Sequence, residues 1–206
     1  MAITCFIDID AIGKLVAFNL FWEVLSVLDI NISDLRVLES AKPRFKKNKD
    51  MRKLYGAEVC DTAIAILEAC QTVPAEEIEE FHNIKLEKLD PGERFLISAA
   101  IQEGAFLFTT GDKNCLQALA NEPSLENIAK QLQGRTICVE QFIYKLIELE
   151  GFAWVQSRIL AAPECDKAIK IAFGWSEPVS ESVALENLQS YINDVQLRSQ
   201  GLLAKL

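Results

Sequence analysis

Two short apolar runs, each ending in an aspartate, constrain this chain more than any other feature. Ile3-Thr4-Cys5-Phe6-Ile7 leads into Asp8, and much later Ala105-Phe106-Leu107-Phe108-Thr109-Thr110-Gly111 leads into Asp112. Runs this short and apolar, rich in β-branched and aromatic residues, suit strands buried on both faces. In a parallel α/β sheet the C-terminal strand ends lie side by side, so both carboxylates would meet in one crevice. Carboxylates gathered in this way point to a divalent metal, because hard cations prefer oxygen ligands.

The rest of the chain supports such a sheet. Asp10 fits the N-cap of a long helix over about 11–29, whose apolar residues Ile12, Leu15, Val16, Leu20, Val24, Val27 and Leu28 recur at helical spacing. Leu35 to Leu38 reads as a short strand ending at Glu39, and Ala57 to Ala69 as a helix, with Val73-Pro74 as the break after it. Phe81 to Leu86 reads as an edge strand or loop. Asp90-Pro91-Gly92-Glu93 is a helix start: a capping acid, proline at the first helical position and a glutamate three residues after the cap. That helix is expected to reach about Glu103, with Gly104 as its stop. Strands over 105–109 and 135–139 each lead into a helix, ending near Asn121 and Glu150. The alternation indicates an α/β fold with three layers, α/β/α, around a mostly parallel central sheet. From Gly151 the pattern changes to two helical stretches, about 152–173 and 180–199, separated by Gly174 to Pro178. The expected division is an α/β domain over 1–150 and a helical C-terminal extension over 151–206.

With 206 residues, half of them hydrophobic, the chain can bury a substantial core. Its apolar runs are interrupted by Glu23 and Asp29, or by Gln102 and Glu103, so no membrane span is expected. The first residues lack a basic region, so no secretory signal is expected either. Cys5, Cys60, Cys70, Cys115, Cys138 and Cys165 are scattered without a Cys-x-x-Cys pair, and His82 is the lone histidine, which argues against a zinc site. Buried free thiols in a reducing cytoplasm are the expectation. The net charge of −9 argues against a general nucleic-acid coat protein. The charge is uneven, however. Lys42, Arg44, Lys46, Lys47, Lys49, Arg52 and Lys53 share one segment with a single acid, Asp50, so this segment carries +6 and the remainder −15. Such a strip is either a footprint for a polyanion or a solvated loop.

Taken one at a time, most of the acids have structural explanations. Asp10 and Asp112 stand where N-caps belong, Glu93 is at the third position of a capping box, and Glu39 suits an exposed strand end. Asp8 is different: it follows an apolar run and precedes Ile9, a place too buried for an idle charge. Together, Asp8, Asp112 and Glu39 fall at strand C-termini while Glu93 opens a helix packed on the sheet. Carboxylates brought together raise one another's pKa. Bound Mg²⁺ or Mn²⁺ would remove that penalty and activate water for in-line attack on a phosphodiester.

The order apolar strand–Asp8-x-Asp10, then Asp90-Pro91-Gly92-Glu93 followed by Ile97-Ser98-Ala99-Ala100, then Leu107-Phe108-Thr109-Thr110-Gly111-Asp112-Lys113, resembles PIN-domain nucleases. The resemblance covers about residues 2–140. It implies cleavage of RNA with Mg²⁺ or Mn²⁺, metal roles for Asp8, Glu93 and Asp112, and Glu39 as a further catalytic acid. It also implies that Thr110 positions water or phosphate with support from Asn114, and that Asp10 stands beside the site where the family usually has Asn or Ser. The basic segment becomes a candidate RNA guide. Bacterial members of the family often act as toxins paired with an antitoxin, and homodimers are expected by the same analogy.

Two other readings stay open. Phe6-Ile7-Asp8-Ile9-Asp10 also resembles the opening motif of haloacid-dehalogenase-type phosphatases, in which the first Asp is nucleophile and the second general acid/base. Here Ala11-Ile12 replaces that family's Gly-Thr, and no second acid follows Asp112 at short range. Alternatively, a PIN-like fold serves as an inert interaction module, its acids acting as caps and its helical tail, with Trp154 and Trp175, as the partner surface. Phosphate loops of the Gly-x-x-x-x-Gly-Lys and Gly-x-Gly-x-x-Gly types are absent. A single histidine, His82, in a polar segment, argues against a Ser–His–Asp triad.

Overall fold

The computed structural model describes residues 3–82, 89–174 and 176–206. Its strands are β1 (Thr4–Ile7), β2 (Leu35–Leu38), β3 (Gln71–Val73), β4 (Phe106–Thr110) and β5 (Thr136–Cys138). The helices are α1 (Ile9–Ala17), α2 (Phe21–Leu28), α3 (Ala41–Lys47), α4 (Lys49–Tyr55), α5 (Ala57–Ala69), α6 (Glu79–His82), α7 (Pro91–Gln102), α8 (Lys113–Asn121), α9 (Glu126–Leu132), α10 (Val139–Glu150), α11 (Phe152–Ala161), α12 (Lys167–Ala172) and α13 (Glu181–Arg198).

Among the described residues the strands form one all-parallel sheet in the order β3-β2-β1-β4-β5. The chain lays down β1, builds outward through β2 and β3, then returns to add β4 and β5 on the other side. The β1–β4 boundary is thus the switch point at which sheets of this class place ligands. Side chains alternate between the two faces of the sheet. Cys5 and Ile7 join Leu35, Val37 and Ile137 in one core, whereas Phe6 joins Phe106, Phe108 and Cys138 in the other. Helices cover both faces, which makes the expected three-layer α/β/α arrangement.

Several element boundaries depart from the sequence expectation. The single helix over 11–29 is two helices, α1 and α2, bent by 115°. Asn19 between them has φ 52°, a left-handed conformation that Asn tolerates better than most residues. The N-cap of α1 is Asp8, not Asp10. The edge strand is Gln71–Val73, three residues too short to show periodicity; Phe81 and His82 belong to α6, and the rest of the Phe81–Leu86 segment lies outside the described residues. The basic segment is helical, as α3 and α4, rather than a loop. The stretch over 152–173 breaks after α11, where Pro163 cannot continue a hydrogen-bonded helix. The helix α9 was not expected at all. Trp175 is outside the described residues, and Trp154 is half-buried beneath the Arg158 guanidinium.

The residues after Gly151 pack on the same cores as those before it. Val155, Ile159, Ile169, Phe173 and Leu188 are buried with Ile7 and Phe142, and Val195, Leu202 and Leu203 with Phe108 and Cys138. The C-terminal segment lies along β5: Thr136 N–H donates to Leu202 O at 3.1 Å and Ala204 N–H to Thr136 O at 2.7 Å. It thereby covers an edge that would otherwise present unpaired backbone groups. Among the described residues no single helix is long and apolar enough to cross a membrane. All six cysteines are free, and five of them are buried.

Candidate functional site

Beyond the C-terminal ends of β1 and β4 lies a crevice of about 530 Å³, lined by Asp8, Asp10, Lys14, Leu38, Arg44, Asp90, Glu93, Asp112, Lys113, Asn114, Asp166 and Lys167, among others. It sits at the switch point of the sheet. The alternation along the strands explains its composition. Asp8 follows Phe6 by two positions and Thr110 follows Phe108 by two, so both continue the face on which α7 packs. Ile7 pairs with Thr109 in the β1–β4 ladder, and Asp8 N–H donates to Thr109 O at 3.0 Å. Asp8 and Thr110 therefore meet side by side at the end of the sheet.

Asp8 is 9% exposed and fully engaged. Its Oδ1 accepts from Ala11 N–H at 2.6 Å, capping α1, while Oδ2 accepts from Thr110 Oγ1 and from Gly111 N–H at 3.0 Å. The Thr110 hydroxyl in turn accepts from Asp112 N–H at 3.0 Å, which ties the two aspartates together. Burial, helped by the neighbouring charge of Asp10, pushes the Asp8 carboxyl up to about 6 despite these three donors.

Glu93 is 8% exposed. The expected capping box forms: Glu93 N–H donates to Asp90 Oδ1 and Asp90 N–H to Glu93 Oε2, both at 2.8 Å. Burial raises the Glu93 carboxyl to about 8, with further pushes from the charges of Asp90, Asp8 and Asp112. Asp112 caps α8 by accepting from Asn114 N–H at 2.8 Å. So Asp8, Glu93 and Asp112, from three separate segments, line one crevice, with Thr110 and Asn114 between or beside them. Glu39 is exposed and does not line it; Leu38 and Ser40, its neighbours on either side, do.

The sequence did not reveal a second group of residues in the crevice. Lys14, four residues after Asp10 on α1, is 8% exposed, and its Nζ stands 2.6 Å from Asp10 Oδ2, 2.7 Å from Asp166 Oδ2 and 3.1 Å from Gly111 O. Burial pushes the Lys14 ammonium down, but the two carboxylates outweigh it and hold it above the ordinary lysine range. The Asp166 carboxyl ends below its usual value: burial raises it, and Lys14 and the N–H of Ile169 overcome that. Tyr55 Oη donates to Asp10 Oδ1 at 3.2 Å. Lys113 pairs with buried Glu140 at 2.6 Å and lies over the Tyr191 ring. The i, i+4 spacing of Asp10 and Lys14 was a local hint. Nothing local announced Asp166.

Of the basic segment, Arg44 reaches the crevice, Lys42 pairs with Glu68 and Arg52 with Asp61, while Lys46, Lys47, Lys49 and Lys53 are exposed on α3 and α4. Asp8, Asp90, Glu93 and Asp112 supply carboxylate oxygens to the crevice, the ligand type that a hard divalent cation prefers. As the side chains stand, however, no three His, Cys, Asp or Glu residues among the described ones are arranged to hold a metal ion. No family model, curated protein or solved structure matched the chain significantly.

Proposed function

We propose that this chain is a PIN-like, Mg²⁺- or Mn²⁺-dependent endoribonuclease whose site is the crevice at the β1–β4 switch point. One observation carries the reading: Asp8, Glu93 and Asp112 line the same crevice, and burial lifts the first two carboxyls well above their ordinary values. Ionising these carboxyls in the crevice carries a cost that a bound cation would relieve. When bound by these acids, the ion would supply charge neutralisation and Lewis acidity.

The chain's own residues prepare the place. Ala11 N–H, Gly111 N–H and the Thr110 hydroxyl orient Asp8. Thr110 also fixes the backbone at Asp112, and Asp90 holds Glu93 at the start of α7. Arg44, Lys113 and Lys167 bring positive charge to the same crevice, where phosphates are attracted. Arg44 joins the crevice to the exposed lysines of α3 and α4, a path along which an RNA backbone can be guided. Six free cysteines suit a reducing, cytoplasmic setting. An antitoxin-like partner and a homodimer remain part of the proposal by family resemblance only.

The test is direct. With Mn²⁺ the purified protein cleaves RNA, and Asp8→Asn and Asp112→Asn each abolish cleavage. Asparagine still caps through its one carbonyl oxygen, and because its amide nitrogen at position 8 meets an N–H donor, circular dichroism verifies that this variant folds. Cleavage that survives both substitutions overturns the metal assignment. The inert-module reading draws on a different observation: Asp8 spends both oxygens on protein donors, and no three-acid group is in place among the described residues. Full-length protein that neither cleaves RNA nor binds Mn²⁺ decides for it. The phosphatase reading needs an Asp8 oxygen available for attack, and turnover of p-nitrophenyl phosphate through an aspartyl-phosphate would establish it.

A further inference from the structure

The least expected feature of the crevice is the ammonium group inside it. Lys14 Nζ has three N–H donors and no acceptor capacity. It meets three oxygens, Asp10 Oδ2 at 2.6 Å, Asp166 Oδ2 at 2.7 Å and Gly111 O at 3.1 Å. Two carboxylates and a backbone carbonyl are the donor types that hold a hard metal cation. Here a compact point charge of the protein's own stands among them.

The surroundings are built for this occupant. Asp166 is pinned as the N-cap of α12, accepting from Ala168 N–H at 2.8 Å and Ile169 N–H at 2.9 Å. Tyr55 Oη holds the other oxygen of Asp10. Two glycines clear the space. A Cβ at Gly111 would overlap the Asp10 carboxylate and come within 3.1 Å of Lys14 Nζ. A Cβ at Gly13 would stand 2.7 Å from the Tyr55 ring that reaches over to Asp10. The donors thus come from α1, the β4 end and the C-terminal helices, and each is fixed by a separate device.

We propose that Lys14 is the crevice's resident cation: it fills a second cation position, formed by Asp10, Asp166 and the Gly111 carbonyl, and so limits the crevice to one exchangeable divalent ion beside Asp8, Glu93 and Asp112. The first-ion part of this statement rests on the proposed nuclease reading; the Lys14 position does not. Lys14 is a positioning residue, holding Asp10 and the Gly111 turn next to Asp8. An ammonium provides charge but no vacant coordination position, so its contribution differs in kind from that of a metal ion.

The experiment counts Mn²⁺ bound by the full-length chain, by electron paramagnetic resonance of free Mn²⁺ and by calorimetry, with circular dichroism to verify folding. Wild type is expected to bind one ion, Lys14→Met one more than wild type, and Lys14→Met/Asp166→Asn the same number as wild type. If Lys14→Met folds only with Mn²⁺ and the double variant gains nothing from Mn²⁺, the inference is equally supported. A Lys14→Met protein that binds no more ions than wild type overturns it, as does wild type binding two, or a Lys14→Met chain that Mn²⁺ cannot restore. Wild type binding none while Lys14→Met binds one removes the divalent ion beside Asp8, Glu93 and Asp112 and upholds the resident cation. Equal counts of one overturn the resident cation and keep the divalent ion beside Asp8, Glu93 and Asp112.

Discussion

Asp8 and Glu93 give the crevice a pH signature of their own. Their carboxyls are raised to about 6 and about 8 in the folded chain, so the folded state binds protons that the unfolded state releases. Stability from this source is complete below the ordinary carboxyl range and is lost as pH rises through about 6 and then about 8. A tenfold displacement of such an equilibrium is worth about 1.4 kcal/mol, so the loss between about pH 5 and 8 amounts to roughly a few kcal/mol. Thermal denaturation in EDTA should show the midpoint falling across this window, and Glu93→Gln should remove most of the fall above about pH 6; a level profile in wild type would contradict both assignments. Gly111 makes a second residue-scale prediction. Gly111→Ala would push a methyl group into the Asp10 carboxylate and toward Lys14. Crowding and disturbance of a buried ion pair together should cost about 2–4 kcal/mol, read as a lower denaturant midpoint.

Among the elements, α3 and α4 changed most between sequence and structure. The seven basic residues were legible as a charge cluster, but their geometry was not. Folded into two short helices, they divide into Arg44 at the crevice, Lys42 and Arg52 in surface ion pairs, and four exposed lysines. Lys46→Glu/Lys47→Glu should weaken RNA binding and lower the salt slope by about 0.7 for each single-strand phosphate that is no longer neutralised. An unchanged slope would leave these lysines as solvated surface. The break between α1 and α2 was hidden for a physical reason. Apolar residues keep helical spacing straight through it, because both helices bury one face against the same core, while the chain turns through Phe18, Asn19 and Leu20.

For the whole molecule, the helices after Gly151 belong to the same packing as the sheet. Val155, Ile159, Ile169, Ala172, Phe173, Leu188 and Ala204 are all buried in the core that holds Ile7. At about 1.5–3 kcal/mol for each of the five large side chains among them, their loss is comparable to the whole ~5–15 kcal/mol by which domains are ordinarily stable. A chain truncated after Glu150 should therefore lose near-ultraviolet circular dichroism and bind hydrophobic dyes; a cooperative melt of that fragment would show that 1–150 stands alone.

What the sequence determined by itself is the class of the fold and the acidic side of the crevice. Buried parallel strands must be continuous apolar runs, and capping boxes are local, so β1, β4, α7 and the acids Asp8, Glu93 and Asp112 were readable from neighbouring residues. The strand order of the folded sheet then brings the ends of β1 and β4 together. Only the tertiary structure decided the cationic side. Lys14, Asp166 and Gly111 are far apart in the chain, and a salt bridge between distant residues has no period and no motif. It exists because α1, β4 and α12 pack so that two carboxylates and a carbonyl surround one ammonium.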